Sequence, residues 1–141
     1  MSKWGFFHPI EIRYADIDAQ RHVNNARYFA YMEQARAKFV QALGLWSGED
    51  FDAIGFILAE QSCTYNAPIT YRHRIQIGVR TTRLGRKSFE LAYSFQDQET
   101  GQELAIGRTV LVAYDYQAAQ SVPLPDSWRD ALGAHSESAT A

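Results

Sequence analysis

The sequence predicts an α+β domain: a five-stranded antiparallel sheet wrapped around one long helix, in the order β-α-β-β-β-β. Three observations carry that expectation. Apolar residues spaced by three and four run from Ala26 to Leu43, later segments alternate apolar and polar residues at period two, and the turns between those segments are short. With 141 residues, the chain is long enough for one domain with a real core.

Glu11-Ile12-Arg13-Tyr14 alternates polar and apolar and predicts the first, half-buried strand. In the helix, Tyr28, Phe29, Met32, Ala35, Phe39, Val40 and Leu43 form one stripe that must be buried, and Gly44 supplies the left-handed residue that ends it. At about 1.5 Å per residue the helix is roughly 27 Å long, enough to cross a whole sheet. Gly55 to Tyr65 reads as the second strand, stopped at Asn66-Ala67-Pro68. Ile75, Ile77 and Val79 mark the third, and a hairpin at Leu84-Gly85-Arg86-Lys87 leads into the fourth at Phe89, Leu91, Tyr93 and Phe95. A turn at 97–101 precedes the fifth, in which Leu104, Ile106, Arg108, Val110 and Val112 share a side. Arg108 is out of place on an apolar side unless it emerges at an edge or meets a carboxylate. A short helix is expected from Asp126 to Leu132, so the domain spans 1–132 and 133–141 reads as a disordered tail. The outer face of such a sheet carries apolar side chains that invite a partner sheet or subunit.

Composition excludes several functions. A net charge of −2 with scattered acids and bases argues against a nucleic-acid binder. No apolar run is long enough for a bilayer, and the first residues lack a secretory pattern, so a soluble cytoplasmic protein is expected. Cys63 is the only cysteine, which excludes an internal disulfide and a cysteine-built metal cluster; it reads as a packing residue rather than a nucleophile.

Most of the usable chemistry lies in Asp16-Ile17-Asp18-Ala19-Gln20-Arg21-His22-Val23-Asn24-Asn25, immediately before the helix. In an extended segment Asp16, Asp18, Gln20 and His22 would project to one side, while the helix start offers unpaired N–H groups to an oxygen that becomes negative. A turn with an Asn24 or Asn25 cap explains the same residues without catalysis. An EF-hand reading fails, because Arg21 would occupy the glycine position and Arg27 that of the bidentate Glu.

Tyr14-Ala15-Asp16-Ile17-Asp18, His22-Val23-Asn24-Asn25, Tyr28 and Glu33-Gln34-Ala35-Arg36 together resemble the signature of hotdog-fold thioesterases, in particular the 4-hydroxybenzoyl-CoA thioesterase family of acyl-CoA hydrolases. The loop is also similar to the Asp-x-Asn-x-His-Val-Asn-Asn motif of plant acyl-ACP thioesterases, except that Gln20 replaces the Asn and the chain holds one hotdog unit instead of two. The likeness covers roughly residues 8 to 130 and implies a single hotdog domain.

The resemblance further implies that Asp18 is the catalytic carboxylate, as base or nucleophile, with Asp16 structural. Oxyanion donors then come from the helix start near Asn25. His22 is either a group that orients water or Gln20, or a loop-organising histidine. Gln20 and Asn24 are candidates for substrate contact, and Asn24 reads also as a cap. Glu33 reads as a helix-surface partner of Arg36 at i+3. Arg80, Arg83, Arg86 and Lys87 cluster around one hairpin; Arg83, Arg86 and Lys87 suit coenzyme A phosphates, or an acidic acyl carrier protein, although a solvated basic loop looks the same. The implied function is an acyl-CoA thioesterase without metal or redox cofactor, assembled as a homodimer or homotetramer with sites between protomers. A hotdog hydratase would show a His acting on carbon, and a non-catalytic acyl-CoA sensor would carry a DNA-binding segment; neither is evident.

Overall fold

The computed structural model describes residues 4–136. Its elements in chain order are β1 (Phe6–Ile10), α1 (Arg27–Ala42), β2 (Phe56–Tyr65), β3 (Ile75–Leu84), β4 (Ser88–Asp97), β5 (Glu103–Asp115), β6 (Gln120–Ser121) and α2 (Asp126–Gly133). The sheet order is β1-β3-β4-β5-β2, every pair antiparallel, and the two-residue β6 adds to the end of β5. Bulges at Leu58/Glu60 in β2 and Thr81/Arg83 in β3 increase the local twist, which curls the sheet around α1. Among the described residues no helix is long and apolar enough to cross a membrane.

The predicted helix stripe is the core. Met32, Ala35, Phe39 and Val40 are fully buried against Ile75, Ile77, Phe89, Leu91, Tyr93 and Phe95. Each such large side chain contributes about 1.5–3 kcal/mol by leaving water. α1 closes at Leu43 with Gly44 at φ +76: the Gly44 amide donates to Gln41 O and the Leu45 amide to Val40 O, the paired bonds of a left-handed helix stop. Under the middle of α1 lies Gly107 of β5, where a Cβ would stand 2.7 Å from Met32 Sδ and Cε. A side chain there would have to displace the Met32 tip, which the glycine leaves in place.

Two expectations are corrected. The first strand is Phe6–Ile10, not Glu11–Tyr14; Tyr14–Asp16 is a turn of 3-10 helix. The side of β5 facing α1 is the small one, Ala105, Gly107, Thr109, Leu111 and Ala113, because the helix needs the room. Ile106 and Arg108 point to the outer face, which is mixed: Ile57, Ile106, Val110 and Val112 share it with a polar network. There Arg108 Nε donates to Glu90 Oε1 at 2.7 Å with Glu60 at 4.0 Å, Thr82 Oγ1 donates to Glu90, and Ser94 Oγ to Glu103. The exposed apolar side chains of this face are Ile106 of β5 and Ile57 of β2, and Leu58 adds to the β2 edge.

The C-terminal segment closes the far end of the barrel-like curl. Trp128 of α2 packs on Phe56 and Phe89, Leu132 is fully buried, and the Thr81 amide donates to His135 O at 3.0 Å. Residues 133–136 are therefore packed, although the chain from 133 was expected to be disordered; 137–141 lie outside the described residues.

Candidate active site

The loop from Arg13 to Asn25 is built around a buried carboxylate. Asp16 is 0 % exposed, and its Oδ2 accepts from the Tyr31 hydroxyl at 2.6 Å and the Arg13 amide at 3.0 Å. Its Oδ1 accepts from Arg13 Nη2 at 3.0 Å, with Arg27 Nε at 3.6 Å. Burial by itself would push the Asp16 carboxyl up, but the bonds from Tyr31 and Arg13 and the Arg13 charge together hold it below the usual carboxylate range. Burial, helped by the bond to Asp16, drives the Tyr31 phenol well above its ordinary value, so it stays a donor. Asp16 O also accepts the Asn24 amide at 2.9 Å, which fixes the end of the loop to its beginning.

Between these points the chain turns sharply instead of running extended. Ile17 bridges to Val23, the Asp18 amide donates to His22 O, and Arg21 takes φ +67, an uncommon conformation for a residue with a Cβ. The turn separates the two acids: Asp16 points into the core, while Asp18, Gln20 and His22 line a pocket with Val23, Asn25, Tyr28 and 65–68. Its volume is about 290 Å³. Asp18 Oδ1 accepts the Gln20 amide at 2.9 Å and Oδ2 accepts Asn24 Nδ2 at 3.1 Å, so the carboxylate is oriented on both oxygens.

Asn24 is thus a holder of Asp18 as well as an organiser of the helix start: its Oδ1 accepts the Ala26 amide and its carbonyl the Arg27 amide. The amides of Asn24, Ala26 and Arg27 are engaged on either side of Asn25, at the positive end of α1. The Tyr65 hydroxyl donates to Asn25 O at 3.1 Å and its ring meets Tyr28 edge-on. Sequence reasoning takes 66–68 only as a strand end and misses Tyr65; the Ala67-Pro68 stop right after an aromatic residue is the available signal. Cys63, on β2 nearby, has its thiol pushed up to about 11 by burial, so it is not a thiolate nucleophile.

The basic hairpin is not part of this pocket within one chain. Leu84 pairs Phe89, Phe89 pairs Leu111 and Leu111 pairs Leu58, whereas Tyr65 pairs Ala105 at the other end of the sheet. Six residues of β5 separate the two levels, roughly 20 Å. Arg83 and Arg86 are exposed, Lys87 Nζ reaches Ser121 Oγ at 3.5 Å, and Arg129 of α2 clamps the loop through Gly85 O at 2.9 Å. Arg80 is apart from them, its guanidinium 4.7 Å over the Trp4 ring. Arg36 also departs from its helix-surface reading. It lies 3.8 Å from Glu33 but is buried, with Nη1 donating to the Tyr93 hydroxyl at 3.4 Å. Among the described residues no cluster of three or more His, Cys, Asp or Glu side chains could hold a metal ion.

One helix cupped by a curled antiparallel sheet defines a hotdog-fold protein, here with an oriented carboxylate at the helix's leading end. The chain belongs to the Thioesterase-like superfamily, whose family model matches residues 12–132. Its structure is similar to that of a Pseudomonas aeruginosa PAO1 protein, with a TM-score of 0.84 at 31 % identity over 95 % of this chain and 93 % of that one. A thioesterase from Thermus thermophilus, complexed with coenzyme A and Zn, superposes with a TM-score of 0.82 at 29 % identity, over 95 % and 96 % of the two chains. The long-chain acyl-CoA thioesterase FadM of Escherichia coli K12 is 24 % identical over 123 residues, 87 % of this chain and 93 % of FadM.

Proposed function

We propose that this chain is a cytoplasmic acyl-CoA thioesterase in which Asp18 is the catalytic carboxylate. The observation that carries the reading is the Asp18 side chain, held by Gln20 and Asn24 at the mouth of a pocket that begins at the N-terminus of α1. A thioester carbonyl placed there meets a carboxylate on one side and the Asn25 amide on the other. Asp18 either attacks the carbonyl carbon, breaking the C–S bond to release the thiol and leave an anhydride for water to open, or it takes the proton from a water whose oxygen attacks. In both routes the carbonyl oxygen becomes negative, and the Asn25 N–H, aided by the helix dipole, stabilises it. His22 lines the same pocket and orients water, and Gln20 contacts the acyl carbonyl side of the substrate.

The edge of β2 supports a homodimer or homotetramer. Among the described residues this ten-residue strand pairs only with β5, and its Ile57 and Leu58 are 42 % and 37 % exposed, too much apolar edge for a lone subunit. Full antiparallel overlap of β2 with a second copy sets Tyr65 of one chain against Phe56 of the partner subunit. That homodimer, alone or doubled into a homotetramer, brings the basic hairpin of one copy to the Asp18 end of the other. Arg83, Arg86 and Lys87 then hold coenzyme A phosphates across the interface.

A hydrolysis panel of acyl-CoAs with free thiol as readout tests the reading. Asp18→Asn keeps the shape and removes the base or nucleophile, so turnover falls by about 10²–10⁴, while Asp16→Asn costs less. Near wild-type turnover of Asp18→Asn sinks the assignment, and a folded but dead Asp16→Asn beside an active Asp18→Asn reverses the two roles. Acyl-CoA binding without any thiol release marks a binding protein instead.

A further inference from the structure

Arg36 sits on the face of α1 turned toward the sheet and is 5 % exposed. A guanidinium there has given up nearly all its water, which a folded chain tolerates only if acceptors replace it. The acceptors it has are poor. Nη1 reaches the Tyr93 hydroxyl at 3.4 Å, the outer limit of a hydrogen bond, and that hydroxyl is shared with Thr109 Oγ1 at 2.7 Å. Glu33 Oε2 stands 3.8 Å from Nη2, with its own side chain 76 % exposed. Arg36 also lines a pocket of about 480 Å³ between α1 and the start of β2, walled by Trp46, Phe51, Phe56 and Tyr116. A cavity of this size, apolar over most of its lining, with Glu33 and Gln34 beside the one cation, is suited to a ligand that is apolar in its body and carries an acceptor at one point.

We propose that this pocket receives the acyl group and that Arg36 selects acyl groups bearing an acceptor oxygen (hydroxyl, oxo or carboxylate) away from the thioester. The proposal rests on the thioesterase reading and on the antiparallel pairing of β2. Within one chain Arg36 is eleven residues along α1 from Asn25, roughly 16 Å from the oxyanion donor. In the pair, Phe56 and its pocket in one copy adjoin Tyr65 and the Asp18 site of the other, within reach of a compact acyl group. A purely hydrocarbon end would fill the apolar walls but strip the guanidinium of its remaining water and return nothing. An oxygen supplies what Tyr93 and Glu33 do not. Sites built to bond a substrate oxygen discriminate sharply against the analogue that lacks it.

The test is the ratio of kcat/KM for acyl-CoA pairs of matched size, one with an oxygen substituent and one without. The wild type prefers the oxygen-bearing member by tenfold or more; in Arg36→Met the ratio falls to near one, and in Arg36→Lys, which keeps the charge but not the planar fork, it is intermediate. A wild-type ratio near one, or a ratio that survives in Arg36→Met, overturns the proposal. Circular dichroism checks that the variant folds; if it does not, the wild-type ratio and competition by the matched free acids decide the matter alone. If the wild type hydrolyses neither member, the thioesterase reading fails, and calorimetric affinities for the two intact thioesters still report whether Arg36 selects oxygen.

Discussion

Tyr31→Phe removes one oxygen and nothing else, and the structure gives the cost. Asp16 loses a 2.6 Å bond from a buried donor while keeping Arg13, whose side chain is 63 % exposed, and the more distant Arg27. Water screens the Arg13 pair, so the phenol is the partner the carboxylate can least replace. A hydrogen bond to a charged group contributes about 1.5–3 kcal/mol, which in a domain of this size is a fall in Tm of roughly 5–9 °C. The pH dependence has a definite sign. The folded Asp16 carboxyl is held below its ordinary value, so its stabilising contribution is complete above that value and is lost as pH falls through the folded one. The gap between wild type and Tyr31→Phe is therefore full at pH 7 and narrows below about pH 4, where the ordinary Asp begins to protonate. Thermal unfolding followed by circular dichroism at pH 7 and pH 3.5 measures both. An unchanged Tm at pH 7, or a gap equally wide in acid, refutes the view that Asp16 is a buried anion pinned by Tyr31.

Replacing Arg83, Arg86 and Lys87 together by Gln raises KM for acyl-CoA by tenfold or more with little change in kcat, because binding to phosphates is equal in ground and transition states. A minimal acyl-N-acetylcysteamine thioester, which lacks phosphates, is hydrolysed as before; an equal loss on both substrates assigns the hairpin to folding instead. Light scattering should show a dimer or tetramer down to low concentration, and Leu58→Lys, which places a charge on the β2 edge, should shift it toward an inactive monomer. A monodisperse active monomer removes the shared-site arrangement.

The elements legible in the sequence are those with one buried and one wet face. α1 shows its period of 3.6, and β3 and β4 bury Ile75, Ile77, Val79, Phe89, Leu91, Tyr93 and Phe95 as alternation predicts. β1 escapes such a reading because Phe6-Phe7-His8-Pro9-Ile10 does not alternate and contains a proline, which a strand tolerates only at an edge; β1 is such an edge, paired to β3 alone. β5 reads inside out, since counting apolar residues favours Ile106 and Val112 over the small residues that admit the helix. In the site, residue types identify the loop, but the separation of Asp16 from Asp18 depends on the left-handed Arg21 and on a hydroxyl fifteen residues away, neither of which period or spacing encodes. Arg36 looks like half of a surface ion pair because i, i+3 spacing says nothing about which way the helix is turned.

Gly107 carries no chemistry and lies on the strand beneath Met32 of α1, where it leaves room for that side chain's tip. A side chain there would first have to displace the fully buried Met32, and where Met32 cannot repack the strain passes to α1, which moves most at its ends. The leading end holds the Asn25 amide against Tyr65, where a displacement of an ångström decides whether a forming oxyanion is met or missed. The alignment of the site is therefore vulnerable from below, at a position that a search for reactive groups would pass over.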